Sequence, residues 1–249
     1  MLMRKIDPRL RRKPKAIIFD TDNTLYPYEP SHHAAMAAVR QKAEDQIGIK
    51  PDKFDEAFQQ ARAETKDRLK RTSASHSRLL YLQRMLEILG LGTQILLTLD
   101  LEQTYWRTFL GRAHLFPGVK ELLADLKSEG IGTAIITDLT AQIQFRKIVY
   151  FGLESFFDYL VTSEEAGSDK PDEAPYKLAF AKLGIAPSDI WMVGDDAKAD
   201  ILGAHQQGML ALQKVHEGVH VSREGLSTPD FEFNDFAELR ELWQQTQKD

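Results

Sequence analysis

Two aspartates, Asp20 and Asp22, stand two residues apart directly after the apolar run at residues 16–19. A short apolar run with β-branched residues and an abrupt polar break favours a buried parallel strand that ends here. Two carboxylates that converge on one small volume cannot both ionise without a cation or a shared proton between them. Such a pair suits a nucleophile beside a proton donor, as in phosphoryl transfer. An Asx turn followed by a cap at Asn23 and Thr24 explains the same residues, so other parts of the chain must decide.

Three further polar clusters follow, two of them at the ends of predicted strands. They are Thr137-Asp138, Lys170-Pro171, and Gly194-Asp195-Asp196 together with Asp200. In α/β proteins, ligands bind in the crevice at the carboxyl ends of the parallel strands. A strand-capping threonine and a solvated lysine explain Thr137 and Lys170 in isolation. The ordered set of four clusters favours a shared site.

The elements that must position these clusters fall into two blocks. After residue 115, amphipathic helices alternate with predicted strands at residues 132–137, 159–162, 190–194, 209–213 and 230–233. This alternation predicts an α/β fold with a doubly wound parallel sheet, which the strand at 16–19 joins. We expect residues 15–30 and 115–249 to form this core, preceded by a mobile basic leader at 1–14.

The other block, at residues 31–114, shows no strand pattern, and its apolar residues repeat at helical spacing. We expect it to form an inserted all-α domain. Ser31 is expected to cap its first helix, which Gly48 ends, and Thr98 or Asp100 is expected to cap its last helix.

Composition excludes several classes of function. The chain has 249 residues, of which 43% are hydrophobic, and a formal net charge of −5. An acidic chain lacks the basic surface that nucleic acid requires, so we expect no nucleic-acid partner. No apolar run approaches the roughly 18 residues of a membrane span, so no membrane partner is expected either. There is no cysteine and no signal-peptide pattern, and we expect a cytoplasmic protein.

The four clusters resemble, in order, the four motifs of the haloacid dehalogenase-like superfamily, and the resemblance covers nearly the whole chain. The matches are Asp20, Asp22 and Thr24 for DxDxT, Thr137 for the strand-end Thr or Ser, Lys170-Pro171 for the Lys motif, and Gly194, Asp195, Asp196 and Asp200 for GDDxxxD. The helical block lies where that family inserts its α-helical cap. Asp138 departs from the pattern, because the family often has Asn there.

The resemblance implies a magnesium-dependent phosphatase with a Rossmann-like core. Its substrate would be a small phosphorylated metabolite, either a sugar phosphate or a nucleoside monophosphate. Asp20 would attack phosphorus to form an aspartyl-phosphate, and Asp22 would be the general acid. Asp20, the backbone carbonyl of Asp22, and Asp195 would hold Mg²⁺. Asp196 or Asp200 would support the metal site or orient Lys170, and the sequence does not rank these two aspartates.

Several further residues are implied on the substrate side of the site. Thr137 and Lys170 would stabilise the transferring phosphoryl group, and Thr24 and Asp138 would lie beside it. In the helical block, His76 and Arg78 are candidate specificity residues, since the segment at 73–78 carries polar groups suited to a phosphorylated ligand. The same segment also fits a simple cap for the helix that follows.

Three alternatives stay open. A phosphomutase uses the same residues and differs in whether the cap protects the phospho-enzyme from water. A receiver-like signalling module carries its acidic pair before a phosphoacceptor on a later strand, without a helical insertion. A catalytically silent protein that binds phosphorylated ligands is the third. Asp22 argues against a dehalogenase, whose halide leaving group needs no proton.

Overall fold

A computed structural model describes residues 7–246, which contain one six-stranded sheet. Its strands are β1 (Ala16–Phe19), β2 (Gly132–Thr137), β3 (Tyr159–Thr162), β4 (Ile190–Gly194), β5 (Leu210–Lys214) and β6 (Phe231–Phe233). All neighbouring strands are parallel, in the order β3-β2-β1-β4-β5-β6. The predicted α/β fold with a doubly wound parallel sheet is therefore confirmed.

The four helices between β1 and β2 that precede residue 115 pack chiefly on one another. They are α1 (Tyr28–Ile47), α2 (Pro51–Leu69), α3 (Arg78–Ile88) and α4 (Ile95–Arg112). Helix α1 packs on α4, and α2 packs on α3. Their buried faces carry aromatic residues such as Phe54, Tyr105 and Phe109, whose burial supplies much of the stabilisation of this block.

The remaining helices cover the two faces of the sheet. They are α5 (Val119–Ser128), α6 (Ala141–Phe151), α7 (Ser163–Ala166), α8 (Glu173–Leu183), a π-helix at Ala197–Leu202 that continues into α9 (Gly203–Gln206), and α10 (Phe236–Gln245). Alternate side chains of β1 point to opposite faces. Ile17 and Phe19 join the cluster containing α5, α6 and α10, whereas Ala16 and Ile18 pack with α8 and α9.

Strand β1 lies at the centre of the sheet and brings three polar clusters together. Phe19 is in register with Ile135 of β2 on one side and with Val193 of β4 on the other. The residues that follow these positions therefore meet at one edge of the sheet. The first, second and fourth strands supply that edge, which is where the sequence places its aspartates and Thr137.

Two local expectations, on the caps of α1 and α4, were wrong. Helix α1 begins at Tyr28 after Pro27, so Ser31 lies buried inside the helix and does not cap it. Helix α4 begins at Ile95, so Thr98 and Asp100 also lie within a helix. The Thr98 hydroxyl donates instead to the backbone carbonyl of Thr93 at 2.7 Å. Gly48, by contrast, ends α1 in the left-handed conformation, as predicted.

The part of the basic leader that is described differs from the mobile segment that we expected. Leu10 is only 1% exposed and packs in the main hydrophobic cluster, and Lys13 forms an ion pair with Glu129. Residues 1–6 lie outside the described residues. Within residues 7–246, no helix is both long enough and apolar enough to cross a bilayer.

Candidate active site

A cavity of about 290 Å³ lies at the carboxyl ends of β1, β2 and β4. Ten of the eleven residues singled out from the sequence line it: Asp20, Asp22, His76, Arg78, Thr137, Asp138, Lys170, Asp195, Asp196 and Asp200. The core contributes most of this lining, and the helical block contributes the rest from α1, α4, the start of α3 and the segment before it. Sheet and helical block thus enclose one polar cavity between them.

Asp20 and Lys170 form the centre of the cavity floor. The Nζ atom of Lys170 lies 2.6 Å from Oδ1 of Asp20 and 2.7 Å from Oδ1 of Asp200, and it also donates to the carbonyl of Ile136 at 3.2 Å. All three charged side chains are buried. Burial lowers the pKa of Lys170, but the two carboxylates outweigh that effect and raise it well above its usual range. Lys170 is therefore a fixed positive charge beside Asp20.

The carboxylates of Asp20, Asp195 and Asp200 have oxygen atoms within 4.8 Å of one another. When all three are ionised, Lys170 compensates one charge and two negative charges remain. Burial and mutual repulsion raise the pKa of Asp20 to about 7 and that of Asp195 to about 9. Clustered carboxylate oxygens with two uncompensated charges form the donor set that a hard divalent cation such as Mg²⁺ prefers. These residues therefore fit the predicted cofactor.

Gly194, at the end of β4, is required by the position of Asp200. A Cβ atom on Gly194 would lie 2.3 Å from the carboxyl carbon of Asp200, closer than two such atoms can approach. The second oxygen of Asp200 accepts from the backbone N–H of Asp196 at 3.0 Å. The glycine thus lets Asp200 fold back against the strand and reach Lys170.

Asp22 is held by a residue that the sequence analysis did not identify, Lys147 of α6. Its Nζ lies 2.7 Å from Oδ1 and 3.1 Å from Oδ2 of Asp22, and the lysine side chain is 1% exposed. The Tyr26 hydroxyl donates to the same carboxylate. Burial raises the pKa of Asp22, but Lys147 and Tyr26 outweigh it, so the net pKa lies below its usual range. Asp22 is therefore an anion in this arrangement.

Lys147 also connects the core to the helical block. Its ammonium lies 5.7 Å from the ring centroids of Tyr26 and Trp106 and 5.6 Å from that of Phe109, within cation–π range. Trp106 and Phe109 belong to α4. One sequence signal points to this lysine, because it interrupts the apolar face formed by Ile143, Ile148 and Phe151 in α6. A charge on such a face needs a buried partner.

The two threonines of the predicted motifs occupy different positions. Thr137 lines the cavity, and its hydroxyl lies 2.8 Å from that of Thr21 and accepts from the Gln144 amide at 2.9 Å. Thr24 is fully buried and does not line the cavity. Its hydroxyl donates to Oδ2 of Asp20 at 3.0 Å. The expectation that Thr24 contacts substrate is corrected, since this residue instead orients Asp20.

The side chains of Asp138 and Asp196 accept hydrogen bonds from backbone N–H groups. Oδ1 of Asp138 accepts from the backbone N–H of Lys170 at 3.0 Å, and this holds the loop that carries the lysine. Burial raises the pKa of Asp138 to about 6, against the opposing effect of Lys170. Oδ1 of Asp196 accepts from the backbone N–H groups of Lys198 and Ala199 and caps the π-helix. Of Asp196 and Asp200, only Asp200 contacts Lys170.

The two candidates from the helical block both reach the cavity. His76 Nε2 lies 3.0 Å from Oδ2 of Asp169, in the loop that leads to Lys170. Arg78 donates to the carbonyl of His76 at 2.7 Å and to the hydroxyl of Tyr28. Ser77 caps α3, so this segment both caps a helix and lines the cavity.

Comparison with known proteins identifies the family of the chain and its fold. The haloacid dehalogenase-like hydrolase family matches residues 14–208. The chain is 40% identical over 196 residues to a ribulose-1,5-bisphosphate 5-phosphatase of Halopiger xanaduensis, covering 78% of this chain and 82% of that protein. It is 28% identical to a glyceraldehyde 3-phosphate phosphatase of Methanopyrus kandleri, covering 94% and 99% of the two chains. A 2-haloacid dehalogenase of Pseudomonas syringae shares the fold, with a TM-score of 0.74, 24% identity and coverage of 94% and 99%.

Proposed function

Because the chain belongs to the haloacid dehalogenase-like hydrolase family, we propose that its cavity hydrolyses the phosphate monoester of a small metabolite, with Asp20 as the nucleophile. The observation that carries the proposal is the position of the Asp20 carboxylate. It lies on the cavity floor, with one oxygen on Lys170 and the other on Thr24. A carboxylate that two hydrogen-bond donors orient at the bottom of a cavity is positioned to attack the phosphorus atom of a bound ester.

The first half of the reaction uses Asp20 and Asp22. An oxygen of Asp20 forms a bond to phosphorus while the bond between phosphorus and the leaving oxygen breaks. Because Asp22 is an anion in the free site, it must first take up a proton; it then gives that proton to the leaving oxygen, which departs as an alcohol. Lys170 and the Thr137 hydroxyl stabilise the charge that develops on the phosphoryl oxygens.

The second half of the reaction restores the enzyme. Water attacks the phosphorus of the aspartyl-phosphate and loses a proton to Asp22, and the bond from phosphorus to the Asp20 oxygen breaks. Inorganic phosphate leaves and Asp20 is again a carboxylate. Microscopic reversibility gives Asp22 both roles, and the ionised form held by Lys147 is the form that accepts the proton.

The metal is part of the same proposal. Asp20, Asp195 and the backbone carbonyl of Asp22 would hold Mg²⁺, with the Asp200 carboxylate in the same cluster. A bound divalent cation neutralises phosphoryl charge and helps to align the ester. The two uncompensated negative charges of the cluster support this assignment.

The substrate is proposed to enter under the helical block at residues 31–114, which we regard as a cap over the core. His76 and Arg78 would contact the part of the substrate that is not hydrolysed, because both line the cavity from the cap side. Relatives named for a sugar bisphosphate and a triose phosphate support a small sugar phosphate.

The test is release of inorganic phosphate from an aryl phosphate, from ribulose 1,5-bisphosphate and from glyceraldehyde 3-phosphate, with and without Mg²⁺. We expect Mg²⁺-dependent phosphate release by the wild type and loss of at least about a thousandfold in Asp20→Asn. Activity that survives in Asp20→Asn removes the nucleophile from the proposal. Transfer of phosphate between sugar positions without release indicates a phosphomutase.

A further inference from the structure

A second cavity, of about 270 Å³, lies within the helical block beside the first one. Tyr28 and Arg78 line both cavities. The second cavity is otherwise formed by residues of α1, α2 and α3, among them Arg62 and His32. A ligand whose phosphate lies on Asp20 therefore has a place for its far end on the other side of Arg78.

Two arginines, Arg62 and Arg78, line this second cavity, and Lys66 lies near enough to feel their charge. Arg62 and Lys66 are one turn apart on α2, and Arg78 faces them from the start of α3. Across residues 7–246, no carboxylate oxygen lies within 4.0 Å of a charged nitrogen of these three side chains. The like charges of Arg62 and Lys66 at this helical spacing destabilise a helix, and a half-buried guanidinium such as that of Arg78 is normally paired.

The nearby carboxylates each have another nitrogen partner. Asp169 pairs with His76 at 3.0 Å, and Asp172 pairs with Arg71 at 2.8 Å. Glu29, at the edge of the second cavity, lies 3.5 Å from His33. The two arginines thus bring two positive charges to the second cavity, against the single carboxylate of Glu29.

The ionisation of neighbouring groups shows the same positive field. Burial together with Arg78, His33 and Arg62 lowers the pKa of His32 to about 4. Burial together with Arg62 and Arg78 also lowers the pKa of Lys66. Burial disfavours charge of either sign, but the contribution of the two arginines disfavours further positive charge near them and favours an anion.

On the basis of the proposed function, we infer that Arg62 and Arg78 form a second anion-binding subsite, which holds a phosphate group other than the one that is hydrolysed. The preferred substrates are then small bisphosphate esters, with one phosphate on Asp20 and the other between the two guanidinium groups. Arginine suits this task, since its planar fork binds phosphate through two parallel hydrogen bonds.

The inference is tested with ribulose 1,5-bisphosphate and ribulose 5-phosphate, which differ by one phosphate. We expect Arg62→Gln to lower the ratio of kcat/KM for the bisphosphate to that for the monophosphate by about tenfold. Arg62 is exposed, so its replacement leaves the core intact. The matched control is Arg68→Gln, an exposed arginine of the same helix that lines neither cavity, and it should leave the ratio unchanged.

Binding to Asp20→Asn separates this inference from the proposed function, because it requires no turnover. Calorimetry should show the bisphosphate binding at least about tenfold more tightly than the monophosphate, and Arg62→Gln in the same background should remove that difference. Equal binding of the two ligands, or an unchanged ratio in Arg62→Gln, overturns the subsite even if the wild type is a phosphatase. Absence of phosphate release from every ester overturns the phosphatase instead.

Discussion

The Nζ atom of Lys147 lies 2.7 Å from Oδ1 of Asp22, so a helix that follows β2 fixes a carboxylate that follows β1. The lysine is buried beneath three aromatic rings and has no other acidic contact within 4.0 Å among the described residues. Its positive charge therefore stabilises the ionised carboxylate of Asp22. Two of the rings belong to α4, so the position of the proposed acid depends on how the helical block packs on the core.

Replacement of Lys147 by methionine tests this relationship. We expect Lys147→Met to lower kcat for alkyl phosphates by about ten- to a hundredfold, because Asp22 is no longer held in place. The loss should be smaller for aryl phosphates, whose leaving groups need little protonation. The control is the double variant with Asp22→Asn, which should be no slower than Asp22→Asn alone. Additive losses, or equal losses on both substrate classes, would show that Lys147 acts independently of Asp22.

Gly194 offers a test of the pair between Asp200 and Lys170. In Gly194→Ala, the new methyl group would occupy the position of the Asp200 carboxyl, so we expect kcat to fall by about a hundredfold and stability to fall by about 1–3 kcal/mol. Gly111→Ala is the matched control, since no atom other than those of its own helical backbone and chain neighbours lies within 4 Å of its Cβ position in α4. That variant should keep full activity and gain about 0.5–1 kcal/mol. Steady-state kinetics measures kcat, and urea unfolding measures stability, for both variants. A fully active Gly194→Ala contradicts a role for the pair between Asp200 and Lys170.

The carboxylate cluster predicts a stability response to metal. Mg²⁺ at saturating concentration should raise the melting temperature of the wild type by about 5 °C, because it binds only the folded state. Asp195→Asn should lose most of this shift. Asp196→Asn should retain it, because Asp196 lies outside the cluster and asparagine caps a helix as well as aspartate does. Equal shifts in the two variants would place the metal elsewhere.

His205 predicts how stability depends on pH away from the active site. Its Nδ1 lies 2.6 Å from the carbonyl of Leu226, and its Nε2 lies 2.8 Å from Oδ2 of Asp230. Two acceptors favour the doubly protonated ring. Burial lowers the pKa of His205, but these two hydrogen bonds outweigh it and raise the net pKa above 6.5. The contribution of His205 to the free energy of unfolding is thus complete below the pKa of the unfolded state. It is lost as pH rises through the pKa of the folded state.

The expected outcome is a fall in the free energy of unfolding as pH rises above about 6.5, the pKa of an unfolded histidine, that is steeper in the wild type than in His205→Gln. Urea unfolding at several pH values measures it. The control is His114→Gln, an exposed histidine, which should keep the slope of the wild type. A His205→Gln slope equal to that of the wild type would mean that this histidine does not titrate differently on folding.

Much of the fold was predictable because local patterns and global packing agree. The strands at residues 16–19 and 132–137 match prediction residue for residue: the first is an apolar run between Lys15 and Asp20, and the second is a short run with β-branched residues between Gly130 and Asp138. The parallel sheet then brings the ends of these strands together with the end of β4, so the position of Thr137 near Asp20 follows from topology. The family of the chain was also predictable from the ordered motifs.

The features of the fold and the site that were not predicted depend on packing between elements, which no short sequence pattern encodes. Lys147 belongs to no motif, and its contact with Asp22 arises because α6 lies against the end of β1. The beginning of α4 was misplaced because no side chain caps it, and its first residue follows Gln94 in a left-handed conformation. Thr24 was expected at the substrate because a motif gives residue type and spacing but not the direction of a side chain.

The central claim is that Asp20 accepts the phosphoryl group. The most direct measurement is rapid acid quenching of the enzyme during turnover of ribulose 1,5-bisphosphate, followed by mass spectrometry of the peptide that contains Asp20. We predict a phosphoryl group on Asp20 in the wild type and none in Asp20→Asn. A phosphoryl group on another residue would contradict the claim, and so would an unmodified Asp20 peptide in Asp22→Asn during turnover of an aryl phosphate, whose leaving group needs little protonation.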